Sequence, residues 1–260
     1  MPSDPFPAKD TQIPTNLRLL LVIEEVARAG APVKPTDLID LLGLPKPTVH
    51  RLLQTAEAEG FLQRDIDGRS YGAGPRLRAI SQHVMSSQRI RSARLAIMKA
   101  LADDVGETVN LATPDREGMT YLDRVETSWP LRIQLPIGTQ VPFHCTASGR
   151  MYLSTLRPAA LNAVLTARPL PKMTSKTTTD VAALRAKITA TKARGYSRDD
   201  EEFMDSMVAI AAPVWDDTGR LMCTLSLHAP VQRHSLTALE AFLPKLLDAA
   251  KALSDLARQN

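Results

Sequence analysis

Residues 36–60 read TDLIDLLGLPKPTVHRLLQTAEAEG, two short runs of helical period broken by Gly43-Leu44-Pro45. At about 100° per residue, Leu52, Leu53 and Ala56 fall on the side of Val49, whereas Pro47, His50, Arg51 and Gln54 fall opposite. One face packs and the other is offered outward, which is the pattern of a helix-turn-helix. The offered face carries Lys46, Pro47, Thr48, His50, Arg51 and Gln54. Lysine and arginine pair with phosphate or guanine edges, and glutamine and threonine bond bases or backbone, so these residue types suit double-stranded DNA. An ordinary amphipathic helix pair with a solvated polar face is the plainer reading, and the next segment weighs against it.

That segment, FLQRDIDGRSY at 61–71, holds two short, partly alternating runs around Asp67-Gly68. Glycine accepts the positive φ of a tight turn, so the spacing predicts a β-hairpin. A hairpin directly after a recognition helix is a wing, and Arg64 and Arg69 on it are placed to meet phosphates beside the groove. Ahead of the pair, a helix is expected over Asn16–Ala29, with Thr15 as N-cap, Gly30 as its stop, and Leu19, Leu20, Ile23, Val26 and Ala27 as its buried stripe. Leu17, Leu21 and Val22 widen that stripe beyond what one small domain covers.

The net charge of +4 over 260 residues says little, but residues 46–94 hold nine Lys/Arg against four Asp/Glu. That local surplus around the offered face argues for a directed DNA contact, not polyanion binding by the whole chain. Cys145 and Cys223 are the only cysteines, too few for a disulfide framework and without metal-ligand spacing, which points to a reducing, cytoplasmic setting. No run reaches the roughly 20 apolar residues of a membrane helix. Residues 1–14 are polar and proline-rich and are expected to form a disordered tail, not a signal peptide.

The winged helix-turn-helix is expected to occupy 15–75, and a linker helix 76–90, with Leu77, Ile80 and Val84 as a narrow stripe and Pro75 well suited to open it. A second domain is expected over 91–260. It begins with a helix over about Ile90–Val105, then strands at Thr108–Ala112, Met119–Arg124 and Leu131–Leu135. Helices are expected at Ala147–Leu156, Ala159–Ala167 and Val181–Arg194, and strands at Met207–Trp215 and Leu221–Ala229. A final helix over Leu236–Arg258 buries Leu239, Leu243, Leu246, Leu247, Ala250 and Leu253, with Pro244 kinking it or marking its true start. Neighbouring strands joined by turns predict an α+β fold with a largely antiparallel sheet and helices on one or both sides.

The stretches PTVHRLLQTAEAEGFLQRD, YGAGPRL, ETVNLA, YLDRVE, RGYSRDDEEF and IAAPVWDDTGRL follow in order from residue 47 to residue 221. In them the chain resembles the IclR family of bacterial transcriptional regulators, from about Thr15 to the C-terminus. The resemblance implies a GAF-like effector-binding domain behind the DNA-binding domain. It also implies a homodimer, often paired into a dimer of dimers, and control of a catabolic operon by a small organic acid. By family register the effector meets the amides of Ala147 and Ser148, then Asp199, Ala209, Ser226 and His228. Here Ala209 stands where the family commonly has Cys, His228 where it has Ser, and Ser206 where it has Gly. A histidine at 228 suits an aromatic carboxylate, to which a protonated or donor-competent ring adds a hydrogen bond.

These residues have plainer readings too. His228 has a plainer reading as a core or sheet-surface histidine. His144 and Cys145, as neighbours in a strand, point to opposite faces and so read as structural. A thiol-dependent enzyme on the second domain is the rival function, resting on that pair alone. Asp199-Asp200-Glu201-Glu202 reads as a solvated turn before a metal site, with no histidine nearby to complete one. Neither a metal nor a cofactor is expected.

Overall fold

The computed structural model describes residues 13–85, 88–115, 117–130, 135–167 and 169–258. Most of the tail expected over 1–14 and most of the strand expected over 131–135 therefore lie outside the described residues. The chain divides into two compact units between Met85 and Ser86.

The first unit runs α1 (Thr15–Ala29), α2 (Pro35–Leu42), α3 (Lys46–Ala58), β1 (Leu62–Arg64), β2 (Tyr71–Ala73) and α4 (Pro75–Met85). Thr15 is not the cap of α1. Pro14, with extended backbone, precedes the first helical residue, and the Leu17 amide bonds its carbonyl at 3.0 Å. The buried stripe also differs from expectation: Val22 and Val26 are its centre, Leu19 and Ile23 flank it, and Leu17, Leu20 and Ala27 are exposed. Gly30 and Gly43 end α1 and α2 in the left-handed region, where a Cβ would be strained. Leu38, Leu42, Leu44, Val49, Leu53, Ala56, Leu62 and Tyr71 close one core with the α1 stripe. Gly74 is required by a close approach, since a Cβ there would lie 2.3 Å from the Gly60 carbonyl oxygen.

The second unit is a six-stranded antiparallel sheet ordered β5-β4-β3-β8-β7-β6 with helices on both faces. Its elements are α5 (Gln88–Val105), β3 (Thr108–Pro114), β4 (Met119–Val125), β5 (Gln140–Val141), α6 (Ala147–Thr155), α7 (Pro158–Ala167), α8 (Val181–Arg194), β6 (Ser197–Asp200), β7 (Met207–Trp215), β8 (Leu221–Pro230), α9 (Leu236–Glu240) and α10 (Leu243–Arg258). Helix α5 lies on the face that carries Asp123, which Arg91 and Arg94 bind, and α6 lies on the face that carries Ala209, Ala211 and Ser226. Strands β5 and β6 were not expected. The first has two residues, and the second is the polar run SRDD, whose alternate residues Ser197 and Asp199 are nevertheless buried. The C-terminal helix is two helices, with Pro244 in the first turn of α10, where a missing N–H costs nothing. Leu239, Leu246, Ala250 and Leu253 are buried as expected, but Leu247 is exposed.

Candidate functional site

On α3 the structure presents Lys46, Pro47, His50, Arg51 and Gln54 to solvent, with Thr48 half-buried at the margin and Val49, Leu53 and Ala56 beneath. Pro47 near the helix start holds φ in the helical range and leaves the first turn open to a partner. The wing is real but its turn is longer than two residues: the Asp65 amide bonds the Ser70 carbonyl, and a loop of six residues carries Gly68 at φ 65°. Asp67 organises that loop by accepting from the amides of Arg69 and Ser70 and from the Ser70 hydroxyl, contacts that lower its pKa to about 2. Arg69 projects from the loop into solvent. Arg64 does not project freely. Its guanidinium pairs with Glu57 of α3 at 3.0 Å, donates to the Gly68 carbonyl and lies over the Tyr71 ring.

In the second unit the six residues expected at the effector site converge on one sheet face. Register places Asp199, Ala209, His228 and Thr108 in one row across β6, β7, β8 and β3. Helix α6 begins above them, with Ala147 and Met151 packed on Ala209 and Ala211. Thr146 caps α6 by accepting from the Gly149 amide at 3.0 Å, and the Ala147 and Ser148 amides are first-turn donors that the helix itself leaves unpaired. Gly149 is obligatory, because a Cβ would lie 2.3 Å from the Phe143 carbonyl oxygen. The Ser148 hydroxyl faces the Ser226 hydroxyl at 3.5 Å, and Ser226 in turn meets His228 Nε2 at 3.0 Å.

Burial, reinforced by the positive charge of Arg124, pushes the His228 pKa down to about 3. The imidazole is therefore neutral, and the protonated contact considered above is not available to it. Asp199 shifts the other way. Burial raises its pKa to about 7 against the pull of Arg150 and of the Glu202 amide, which donates to it at 2.8 Å. Near neutrality this carboxyl can therefore donate as well as accept.

The acidic run is taken up in ion pairs. Glu202 is held by Arg150 at 2.5 Å and Lys187 at 3.0 Å, and Glu201 and Asp200 face Lys176. Among the described residues no cluster of ligands suits a metal ion. Cys145 is likewise unfit as a nucleophile, since burial and the nearby Asp199 raise its thiol to about 12. The pair lies in a turn between β5 and α6, not in a strand as expected, and His144 Nε2 bonds the Pro171 carbonyl at 2.9 Å.

Sequence reasoning missed Asn110 and Arg124. The Arg124 side chain is 5% exposed, donates from Nε to Glu126 and from Nη1 to the Asn110 side-chain oxygen, and borders an open cleft of about 330 Å³ with Glu126, Leu135, Pro136 and Ile137. Two charged residues, Asp123 and Arg124, inside the otherwise strand-like run MTYLDRV were the available clue.

A winged helix-turn-helix joined to this α/β unit defines a two-domain DNA-binding regulator. The IclR helix-turn-helix domain model matches residues 17–65, and the model of the bacterial transcriptional regulator IclR C-terminal domain matches residues 82–255. The chain belongs to the IclR family of bacterial transcriptional regulators. It is 33% identical over 234 residues to the "Probable transcriptional regulator SauR" of Cupriavidus necator, covering 90% of this chain and 93% of that protein. Against the acetate operon repressor of Salmonella typhimurium the identity is 29%, over 85% of this chain and 82% of the other. An IclR homolog from Microbacterium hydrocarbonoxydans, crystallised with 4-hydroxybenzoate, superposes with a TM-score of 0.61 at 25% identity, over 94% of this chain and 99% of that one. None of the described helices is long and apolar enough to cross a membrane.

Proposed function

We propose that this regulator controls a catabolic operon in the cytoplasm and that a small organic acid, of the aromatic carboxylate class, governs its hold on the operator. The observation that carries the reading is the meeting of the α6 amides at Ala147 and Ser148 with Ser148, Ser226 and His228 on one buried patch. Unpaired amides at a helix start favour an anion, and the hydroxyls and neutral imidazole supply directional contacts. Ala209 lies opposite His228 in register, and the Tyr121 ring stands edge-on to that imidazole at 6.4 Å, a setting that suits an aromatic ring. The Microbacterium relative's 4-hydroxybenzoate is of this class.

The DNA half of the reading assigns base contacts to Lys46, Thr48, His50, Arg51 and Gln54, a backbone approach to Pro47, and phosphate contact to Arg69. Arg64 sets the wing's position. Leu17 and Leu20 on α1 and Ile80 and Val84 on α4 are exposed apolar residues, which a homodimer joined through the N-terminal half would cover. Effector binding that differs between two arrangements of such a dimer, or of a dimer of dimers, shifts operator occupancy.

Thermal-shift screening of aliphatic and aromatic acids, followed by operator binding with each hit, tests the reading. A carboxylate should raise the melting temperature and change operator affinity, whereas amides of the same acids should not. If no acid does either at millimolar concentration, the reading fails.

A further inference from the structure

Ser197, Ala211, Ser226, Asn110 and Arg124 lie opposite one another across β6, β7, β8, β3 and β4, a single row spanning five strands on the α6 side of the sheet. Three buried side-chain atoms among the described residues lack any hydrogen-bond partner: Asn110 Nδ2, Arg124 Nη2 and Ser197 Oγ. All three belong to this row. A buried donor left unpaired is costly, more so when charged, so the adjacent pair Asn110 and Arg124 marks a place where a partner is missing.

Asn110 and Arg124 are the informative pair. Glu126, on the outer side, holds Arg124 Nε at 3.0 Å, and the Asn110 oxygen takes Nη1 at 3.2 Å. The guanidinium is thus fixed with one nitrogen unspent, next to an amide nitrogen that is also unspent. Both are donors only, so what they lack is an acceptor, and beside a guanidinium an anionic one is favoured. Asn110 pairs in register with Ser226, and the Ser226 hydroxyl approaches the Asn110 carbonyl oxygen at 3.4 Å. The donors of the α6 start and those of Arg124 therefore lie at two ends of one continuous polar surface.

We infer that the effector pocket has two anion-receiving ends, one at the Ala147 and Ser148 amides and one at Arg124 Nη2 and Asn110 Nδ2, so that its natural ligand is a compact acid with two anionic groups. The inference rests on the acid-sensing reading above and deepens it. Arg124 becomes the specificity-determining residue that separates two-ended acids from monocarboxylates. A neutral His228 beside it fits this division of labour, because the cationic role belongs to the arginine.

The test is calorimetry of the full-length protein with dicarboxylates and their half-amides, which are nearly isosteric and carry one charge fewer. The set is malonate, succinate, glutarate and terephthalate, each against its monoamide. At least one dicarboxylate should bind about tenfold or more tighter than its half-amide, the size of one hydrogen bond to a charged group. Arg124→Gln should weaken binding of both ligands but cost the dicarboxylate about tenfold more than its half-amide, so that the preference is erased, and Arg124→Lys should restore part of it. Equal affinity for every dicarboxylate and its half-amide in the wild type, a measurement that needs no variant, would overturn the second anionic end. A preference that persists in Arg124→Gln would overturn the role of Arg124. Absence of binding by any acid of either kind would instead bring down the acid-sensing reading itself.

Discussion

The Arg64 guanidinium lies 3.0 Å from the Glu57 carboxylate, so the wing is bolted to the recognition helix by the arginine that a sequence reading reserves for phosphate. Both partners are partly exposed, and a pair of this kind contributes about 0.2–1 kcal/mol to stability. Its larger consequence is orientation of the hairpin beside α3. Arg64→Ala and Glu57→Ala should therefore weaken operator binding by similar amounts and non-additively, as a double-mutant cycle would register. Arg69→Ala should weaken operator and random DNA alike and reduce the salt slope by about one. Strictly additive losses for Arg64 and Glu57 would mean that Arg64 acts on DNA by itself.

Arg51 is exposed in the N-terminal half of α3, the part of such a helix that reaches base edges. Replacing it with Ala should cost about 1–3 kcal/mol on the operator and far less on random DNA. Equal losses on both, measured by competition titration, would reassign Arg51 to the phosphate backbone.

Legibility in the sequence followed burial contrast. The recognition helix was readable because Val49, Leu53 and Ala56 alternate with polar residues at helical period, and β7 because its nine residues are almost wholly apolar. Strand β6 was not, since Ser197 and Asp199 face a buried polar surface and so mimic a solvated turn. The same inversion hid Asn110 and Arg124: a site that buries polar side chains looks like loop or surface until register places them in one row. Ala147, Ser148, Asp199, Ala209, Ser226 and His228 were named through family register, and no periodicity in the chain points to them. Arg64 was misjudged for another reason, because its partner Glu57 sits on a different element and ion pairs between elements leave no local pattern.

Ser206 has φ 62°, in the left-handed region that costs a residue with a Cβ about 1–2 kcal/mol. Its amide bonds Glu201 Oε2 at 3.0 Å and its carbonyl accepts from Val231, so the backbone is held there by contacts that do not involve the hydroxyl. Ser206→Gly should keep both bonds, relieve the Cβ, and raise stability by about 0.5–1 kcal/mol in denaturant unfolding. A destabilised variant would show that the serine hydroxyl matters more than the backbone conformation.

Asp199 should set the pH response. Burial raises its native pKa to about 7, above the ordinary 3.8, so between those values the folded protein holds a proton that the unfolded chain has lost. Its contribution to stability is therefore full below about pH 4 and is lost as pH rises through 7. Neighbours do not share this window: Glu202 is held ionised by Arg150 and Lys187 despite its burial, Tyr121 and Cys145 are pushed well above it by burial, and His228 is pushed far below. Asp199→Asn should match the wild type in stability near pH 4 and exceed it at pH 8. An acid in the pocket also meets a neutral Asp199 below pH 7 and an anionic one above it. Effector affinity should then fall by up to about tenfold per pH unit above 7 in the wild type and stay flat in Asp199→Asn. Parallel profiles for the two proteins, in denaturant midpoints and in calorimetry from pH 6 to about 8.5, would show that Asp199 is ionised throughout and that its burial is offset by Arg150 and the Glu202 amide.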